Sequence, residues 1–443
     1  MSSSAPTPPT PAPPPVLDDA ERAELQRRVL RVLTAGQIVG AAALAAAVTI
    51  GAFVVQEILG EDTSWGGIAT AMVTVGTGVM AQVLSSRMRR LGRRAGLQLG
   101  YALAAAGGLV AALGAEVGSL PIFLVGLFLF GNGQASNLLA RYAAADLAPP
   151  EARGRAISRI VFASTFGAVL GPLLIGPGQW VGEELLGLGR YTGPWIIGAV
   201  CFALAGVNTA ARLRPDPLVV AGGVDPRAGR DGGPDLSSAL RAIRGSSPAR
   251  LALFAMIVSQ AAMVAVMTMT PVHMKHHGHE SLSPYVISLH IAGMYAFSPL
   301  VGRFNDRRGS VPTIAVGAVI LGTSTVLAAV ASQSEVWIFP ALWGLGVGWN
   351  FGLIGGSSLL TSGVAVRDRV TVQGAADLMM SLCGGLAGFS SGFILASLGY
   401  PALANLATLA AAALVVAVAV SHLRRDRAPT ATELAVEGAT GGS

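Results

Sequence analysis

The sequence predicts an all-α polytopic membrane protein of about twelve spanning helices, arranged as two six-helix halves that repeat one another. Three observations predict it. Of its 443 residues, 52% are hydrophobic and only 12% are charged, with a mean hydropathy of +0.60, which is too apolar for a soluble globular chain. Apolar runs long enough to cross a ~30 Å hydrocarbon core as helices recur in two groups of six. Segments of the two groups also echo each other at a spacing of about 215 residues: SSRMRRLG, ending at Gly92, lies over GRFNDRRG, ending at Gly309, and GNGQASNLLA from Gly131 lies over GVGWNFGLIG from Gly346. Duplicated six-helix halves are the organisation of alternating-access transporters, whose substrate site lies near the midplane between the halves.

Residues 1–33 begin with a Pro-, Ser- and Thr-rich tail with almost nothing to bury, expected to be disordered, and end in a short charged helix entering the membrane. The first half, 34–211, holds runs at 34–60, 65–84, 97–115, 120–143, 156–178 and 192–211. A Gly-, Pro- and charge-rich linker covers 212–249. The second half, 250–421, holds runs at 250–272, 284–301, 311–331, 336–363, 369–396 and 400–421, and a polar tail, 422–443, follows.

Positive residues are retained on the cytoplasmic side of spanning helices. Arg87, Arg89, Arg90, Arg93 and Arg94 follow the second run, Arg153, Arg155 and Arg159 the fourth, and Arg303, Arg307, Arg308, Arg367 and Arg369 mark the equivalent loops of the second half. The alternate loops carry Glu57, Glu61, Asp62, Glu183, Glu184 and Glu335. Both termini and the linker are therefore expected in the cytoplasm, in a multi-pass protein of the cytoplasmic membrane. The net charge of +6 follows from these clusters and not from one basic face, so nucleic acid is not an expected partner; the lipid bilayer is. Cys201 and Cys383 both lie in apolar runs and suggest neither a disulfide framework nor a zinc site.

One stretch is chemically specific. Six of the twelve Met residues fall between Met256 and Met294, and five of the six His between His273 and His290. Residues four apart share a helix face, so Met263 and Met267 form one pair of ligands and His290 and Met294 another. With helix seven ending near Val272 and helix eight beginning near Pro284, Met267 and His290 fall ~8–9 Å below the outer surface, and Met263 and Met294 ~14 Å below. Thioethers are soft neutral ligands that select Cu(I), and imidazole adds a donor copper accepts; hard divalent ions would want oxygen. The alternative is gap-filling by Met in helix interfaces, against which stands His290, because an ionisable residue within a span faces a cavity or a partner. The loop carrying His273, Met274, His276, His277 and His279 is placed to gather metal outside, or is polar because a short loop must stay in water.

Other polar residues lie within or beside spans. Gln134 and Asn137 in helix four occupy positions matching Trp349 and Asn350 in helix ten, and either line the cavity or bond helix to helix. Asp377, about eight residues into helix eleven, is a candidate proton-coupling carboxylate or a gate anchor through Arg369 or Arg141. Asp306 and Arg307, with Arg153 to Arg159, are placed to pair across the halves at the inner surface. No Walker lysine loop, nucleotide fingerprint or nucleophile constellation appears, and Gly131-Asn132-Gly133 lies inside a span and is no phosphate cradle. Neither an enzyme nor a resident cofactor is expected, and no obligate protein partner is evident.

Gly302-Arg303-Phe304-Asn305-Asp306-Arg307-Arg308-Gly309 resembles the G-x-x-x-D-R-x-G motif of the major facilitator superfamily, found between its second and third and again between its eighth and ninth helices. In the first copy Ser85 and Arg89 replace the expected Gly and Asp. Gly167, Gly171 and Pro172 resemble the Gly-x-x-x-Gly-Pro element of the fifth helix in antiporters of the superfamily, although small residues four apart also serve close packing. Gly348-Trp349-Asn350-Phe351, Gly355-Gly356, Leu359-Leu360-Thr361, Arg369 and Gln373-Gly374 are similar to the CcoA-like branch, with Ala376 where that branch leads one to expect Asn. The branch includes copper importers and a vitamin transporter, and Met263, Met267, His290 and Met294 fall on the Met-x-x-x-Met and His-x-x-x-Met positions of its copper members. The resemblance implies a major facilitator fold and a gradient-driven secondary transporter that imports copper through those four residues, with copper as cargo. The alternative is a proton-coupled transporter of a small organic solute such as a drug or vitamin.

Overall fold

A computed structural model describes residues 18–59, 68–225, 236–278, 282–330 and 335–426. The Pro-rich N-terminal tail, the C-terminal tail beyond Asp426, part of the linker, Glu61, Asp62 and His279 lie outside the described residues.

The first half is built of α1 (Asp19–Leu59), α2 (Ile68–Leu91), α3 (Arg93–Glu116), α4 (Leu120–Ala143), α5 (Arg153–Leu173), the short α6 (Ile175–Trp180) and α7 (Thr192–Arg212). The linker region contains α8 (Pro217–Val220) and α9 (Leu236–Gly245), two helices where the sequence suggested only an interruption. The second half follows as α10 (Ser247–His276), α11 (Ser283–Tyr295), α12 (Ser298–Arg308), α13 (Ser310–Val330), α14 (Glu335–Ser362) and α15 (Arg369–Asp426). Among the described residues, eleven segments are long and apolar enough to cross a membrane. The last of them turns at Gly399, whose φ of +79° is open to glycine without strain, so it provides the eleventh and twelfth spans.

Charge does not end α1 where the apolar run ends. The helix extends back to Asp19 because Leu25, Val29 and Val32 form a buried stripe and the Gln26 side-chain amide donates to the Ala144 carbonyl at 2.7 Å. The eighth span is two helices, not one. Pro299 at the start of α12 has no N–H to donate to the preceding turn, and Leu300 and Val301 both donate instead to Phe297 O.

Each half packs through small residues, which let backbones approach closely in a medium that supplies no hydrophobic drive between helices. An aromatic cluster anchors the first half: Trp195 packs edge-on against Phe123 and Phe130, with ring centroids at 5.3 and 5.5 Å. Nearby, a Cβ added to Gly126 of α4 would lie 2.6 Å from Ala111 Cα of α3. Backbone has to move to admit it, so Gly126→Ala is expected to destabilise the protein by about 1–3 kcal/mol, read as a lower thermal midpoint in detergent.

Candidate functional site

The two ligand pairs sit on α10 and α11, and α14 packs against both. A Cβ on Gly356 of α14 would meet the Met256 side chain at 2.6 Å, and one on Gly293 of α11 would approach the Trp343 backbone of α14 just as closely. Helices α10 and α11 themselves barely touch; α10 packs chiefly against α15 and α11 against α14. Helix α10 also runs one turn beyond Val272, to His276. Met267 is therefore nine residues from its helix end and His290 seven from its own, ~13 and ~10 Å at 1.5 Å per residue, so the rungs are offset.

His290 is fully buried, and Met263 and Met294 are 5% and 8% exposed, while Met267 packs half-buried against the same core. His290 Nδ1 lies 2.7 Å from the Leu342 carbonyl. A carbonyl only accepts, so Nδ1 carries the proton and Nε2 presents a bare lone pair. That Nε2 is buried and has no hydrogen-bond partner.

At the outer end, His273 and Met274 belong to the last turn of α10 and not to a loop, and both are buried. The extra turn is held in place by contacts: the His273 ring stacks on Tyr400 with centroids 4.2 Å apart, and one turn below, Thr270 Oγ1 and Tyr400 OH share a 2.9 Å hydrogen bond. His277 has its ring 4.3 Å from that of His273 and its Nδ1 2.9 Å from the His273 carbonyl. His276 and His277 remain exposed. Among the described residues, no group of three or more His, Cys, Asp or Glu is arranged to hold a metal.

The matched polar residues of helices four and ten make bonds within their own halves. Tyr101 OH donates to Asn137 Oδ1 at 3.3 Å, Ser298 Oγ to Asn350 Oδ1 at 3.2 Å, and Trp349 Nε1 to Gln260 Oε1 at 2.7 Å. Tyr295 packs edge-on against Trp349 with centroids 5.8 Å apart. Gln134 is half-buried.

Three sets of bonds join the halves at the arginine-rich, cytoplasmic end. Arg141 of α4 donates to Asp377 Oδ1 at 2.5 Å and to Ser357 Oγ at 3.0 Å, and Tyr142 OH donates to the same Asp377 oxygen. Asp306 of α12 accepts from Gly154 N at 2.7 Å and Arg155 N at 3.0 Å at the start of α5, and pairs with the Arg155 guanidinium at 3.2 Å; a carboxylate there is favoured by the helix dipole. Arg93 of α3, fully buried, holds Asp146 at 2.8 Å and donates to Gln373 Oε1 of α15 at 2.7 Å. The partner of Asp377 is thus Arg141 and not Arg369, and Arg307 is exposed beside the Asp306 lock.

The Arg93–Asp146–Gln373 set was missed by sequence reasoning, which counted Arg93 as one of a cytoplasmic cluster. A signal was present: Asp146 is the first acidic residue after Glu116, standing alone at the inner end of α4. Asp216 was also overlooked. Its carboxylate accepts from Arg93 N and Arg94 N, closing the start of α3 where the first motif copy lacks its Asp.

Residues 33–388 match the model of the Major Facilitator Superfamily. The chain is 36% identical over 383 residues to the MFS-type transporter YdeG of Bacillus subtilis, covering 86% of this chain and 88% of that one. It is 28% identical over 378 residues to the riboflavin transporter RfnT of Brucella anthropi, covering 84% and 90%. The fold is similar to that of the human organic anion transporter MFSD10, with a TM-score of 0.73 at 16% identity over 89% of this chain and 99% of the other. A duplicated helical bundle locked at one end, with these matches along most of its length, places the chain in the Major Facilitator Superfamily, as a membrane transporter and not an enzyme.

Proposed function

We propose that the transporter imports copper across the cytoplasmic membrane as Cu(I), and that His290 with Met294, assisted by Met263 and Met267, receives the ion. The observation that carries this reading is the His290 imidazole, oriented by Leu342 and presenting a buried Nε2 lone pair without a partner. An unsatisfied buried acceptor costs about 1–3 kcal/mol, and a soft cation would meet that need; an N–H fixed by a carbonyl is also how metal-ligating imidazoles are oriented. Met294 lies one helical turn away, and its thioether favours Cu(I) over harder ions. The resemblance to copper importers at these four positions supports the same reading. His276 and His277, exposed at the outer end of α10, are placed to meet the ion first.

Uptake of radioactive copper by cells expressing H290A at wild-type membrane level is expected to fall at least ~10-fold, the lower end of what loss of a metal-orienting group costs. An M267A/H290A double variant that takes up copper like wild type overturns the assignment.

A second reading, transport of a flat organic solute, is favoured by the Gln260–Trp349–Tyr295 cluster, which combines a hydrogen-bonding amide with two aromatic faces, and by the likeness to the riboflavin transporter. Riboflavin uptake that is lost in Q260A/W349A and intact in M267A/H290A supports it.

A further inference from the structure

A cluster of basic side chains on the cytoplasmic side of the first half takes no part in the locks between the halves. Arg27 and Arg31 of α1, Arg159 of α5 and Glu24 line a cavity of about 450 Å³. All four are exposed, whereas Leu25, Val29 and Val32 on the other stripe of α1 are buried in the bundle. The register of the two helices fixes the depth of this cavity. Gln37 Nε2 donates to Ser164 Oγ at 2.9 Å, and a Cβ on Gly167 would meet Ala42 N at 2.8 Å. Arg159, five residues before Ser164, therefore stands level with Val32, where the uncharged stretch of α1 begins. The end of charge on α1 at Arg31 puts the expected boundary between hydrocarbon and headgroups of the inner leaflet at that level.

We infer that this cavity binds the phosphate of an anionic phospholipid of the cytoplasmic leaflet. Three guanidinium groups outweigh the single carboxylate of Glu24, and a guanidinium fork matches two phosphate oxygens at once. Basic cavities between spanning helices on the cytoplasmic side have the chemistry for anionic headgroups. The depth supplies the rest: a phosphate carried by a diacylglycerol is held at that level, its chains lying along the lipid-facing side of α1 and α5. Arg159 lies one turn from Arg155, which pairs with Asp306 at 3.2 Å, so an occupied cavity would adjoin the α5–α12 lock.

The test is native mass spectrometry of the full-length protein, stripped of lipid in detergent and titrated with phosphatidylglycerol or with phosphatidylcholine. Wild type is expected to retain phosphatidylglycerol, and R27Q/R31Q/R159Q to bind it on the order of 100-fold more weakly, each arginine near a membrane surface contributing about fivefold. Phosphatidylcholine carries the same phosphodiester with its charge offset by choline, so wild type is expected to bind it more weakly than phosphatidylglycerol and to lose less of that binding in the triple variant. R241Q/R244Q/R303Q, which removes three exposed arginines elsewhere on the same side, is expected to behave as wild type. Unchanged thermal midpoints show that each variant is folded; if the triple variant does not fold, R159Q alone is read instead, expected at about fivefold. Equal phosphatidylglycerol retention by the cavity variant and wild type overturns the inference, as does an equal loss in the R241Q/R244Q/R303Q control. Binding of inorganic phosphate by equilibrium dialysis without retention of phosphatidylglycerol also overturns it, in favour of a soluble anion.

Discussion

Alanine in place of Asp377 is expected to produce the largest loss of stability of any single side-chain truncation at the cytoplasmic end, and to abolish uptake. Asp377 is fully buried, Arg141 is 1% exposed, and the two meet at 2.5 Å between α4 and α15. Removing the carboxylate leaves a guanidinium with no counter-charge in a place water does not reach. Breaking a buried pair from one side costs about 3–5 kcal/mol, and at ~2–4 °C per kcal/mol this lowers the thermal midpoint by on the order of 10 °C. Removing both charges is a different experiment, because a buried pair gains little over an apolar pair of similar volume once desolvation is counted. R141L/D377L is therefore expected to recover most of the midpoint while uptake stays impaired, since the tie between the halves is still missing. Equal midpoints for D377A and wild type would show that the Leu138 carbonyl and Ser357 Oγ, to which Arg141 already donates at 2.6 and 3.0 Å, satisfy the guanidinium without the carboxylate.

The spans were legible because they rest on one quantity, the length of an apolar run against the thickness of a bilayer. Where the structure departs from that reading, a specific contact has overridden composition. Val272 does not end α10 because Tyr400 stacks on His273, and the charged helix expected before Thr34 runs unbroken into the first span because the bundle buries Leu25, Val29 and Val32. The second copy of the loop motif was legible in the same way, since Gly309 takes the positive φ of +88° that the turn requires and Asp306 reaches the start of α5. Pairing was harder to read. The distribution of arginines decides which side of the membrane a loop occupies, but it does not distinguish Arg93, buried on Asp146, from the exposed Arg87 and Arg90. Spacing likewise put Met263 with Met267 and His290 with Met294, but could not say which neighbouring helix each face meets. For the His290–Met294 pair that neighbour is α14, whose Gly346 lies against the α11 backbone at those two residues, while α10 meets α14 at Met256 and α15 at Gln260 and Val264.

His290 and Asp306 belong to one span that is broken at Ala296–Phe297. The upper piece carries the proposed ligands and the lower piece carries the lock on α5, twelve residues below Met294, or ~18 Å along a helix. A helix broken at that point can tilt its lower piece without dragging the upper one, so opening at the cytoplasmic end does not require the ligand pair to move first.

Valine at Gly302 is expected to open that lower crossing. A Cβ there would lie 2.6 Å from Ser158 Cβ and 2.8 Å from the Gly154 carbonyl, and Gly154 in turn has Asn305 Nδ2 and Asp306 Oδ1 at 2.5 and 2.6 Å from its own Cβ position. Two glycines thus set the approach of α5 to α12, and that approach is what brings the Asp306 carboxylate to Gly154 N and Arg155 N. Hydrogen bonds to a charged group contribute about 1.5–3 kcal/mol each, so loss of both shifts the balance between closed and open cytoplasmic ends by at least ~100-fold. The Gly302→Ala change already brings a methyl carbon to 2.6 Å from Ser158 Cβ and 2.8 Å from the Gly154 carbonyl, which turning the Ser158 hydroxyl does not relieve, so it moves the two helices apart in the same direction and valine moves them further. A cysteine at Ser358, 5% exposed and bonded to Asn305, reports the opening in a background where Cys201 and Cys383 are alanine. In inside-out vesicles, labelling of S358C by a membrane-impermeant maleimide is expected to rise more than ~10-fold when G302V is added and to rise by a smaller factor with G302A, following the difference in what each side chain displaces. Labelling that is the same with and without G302V would show that the Asp306 contact does not hold the cytoplasmic end closed. The buried pairs Arg141–Asp377 and Arg93–Gln373 would then carry that load alone.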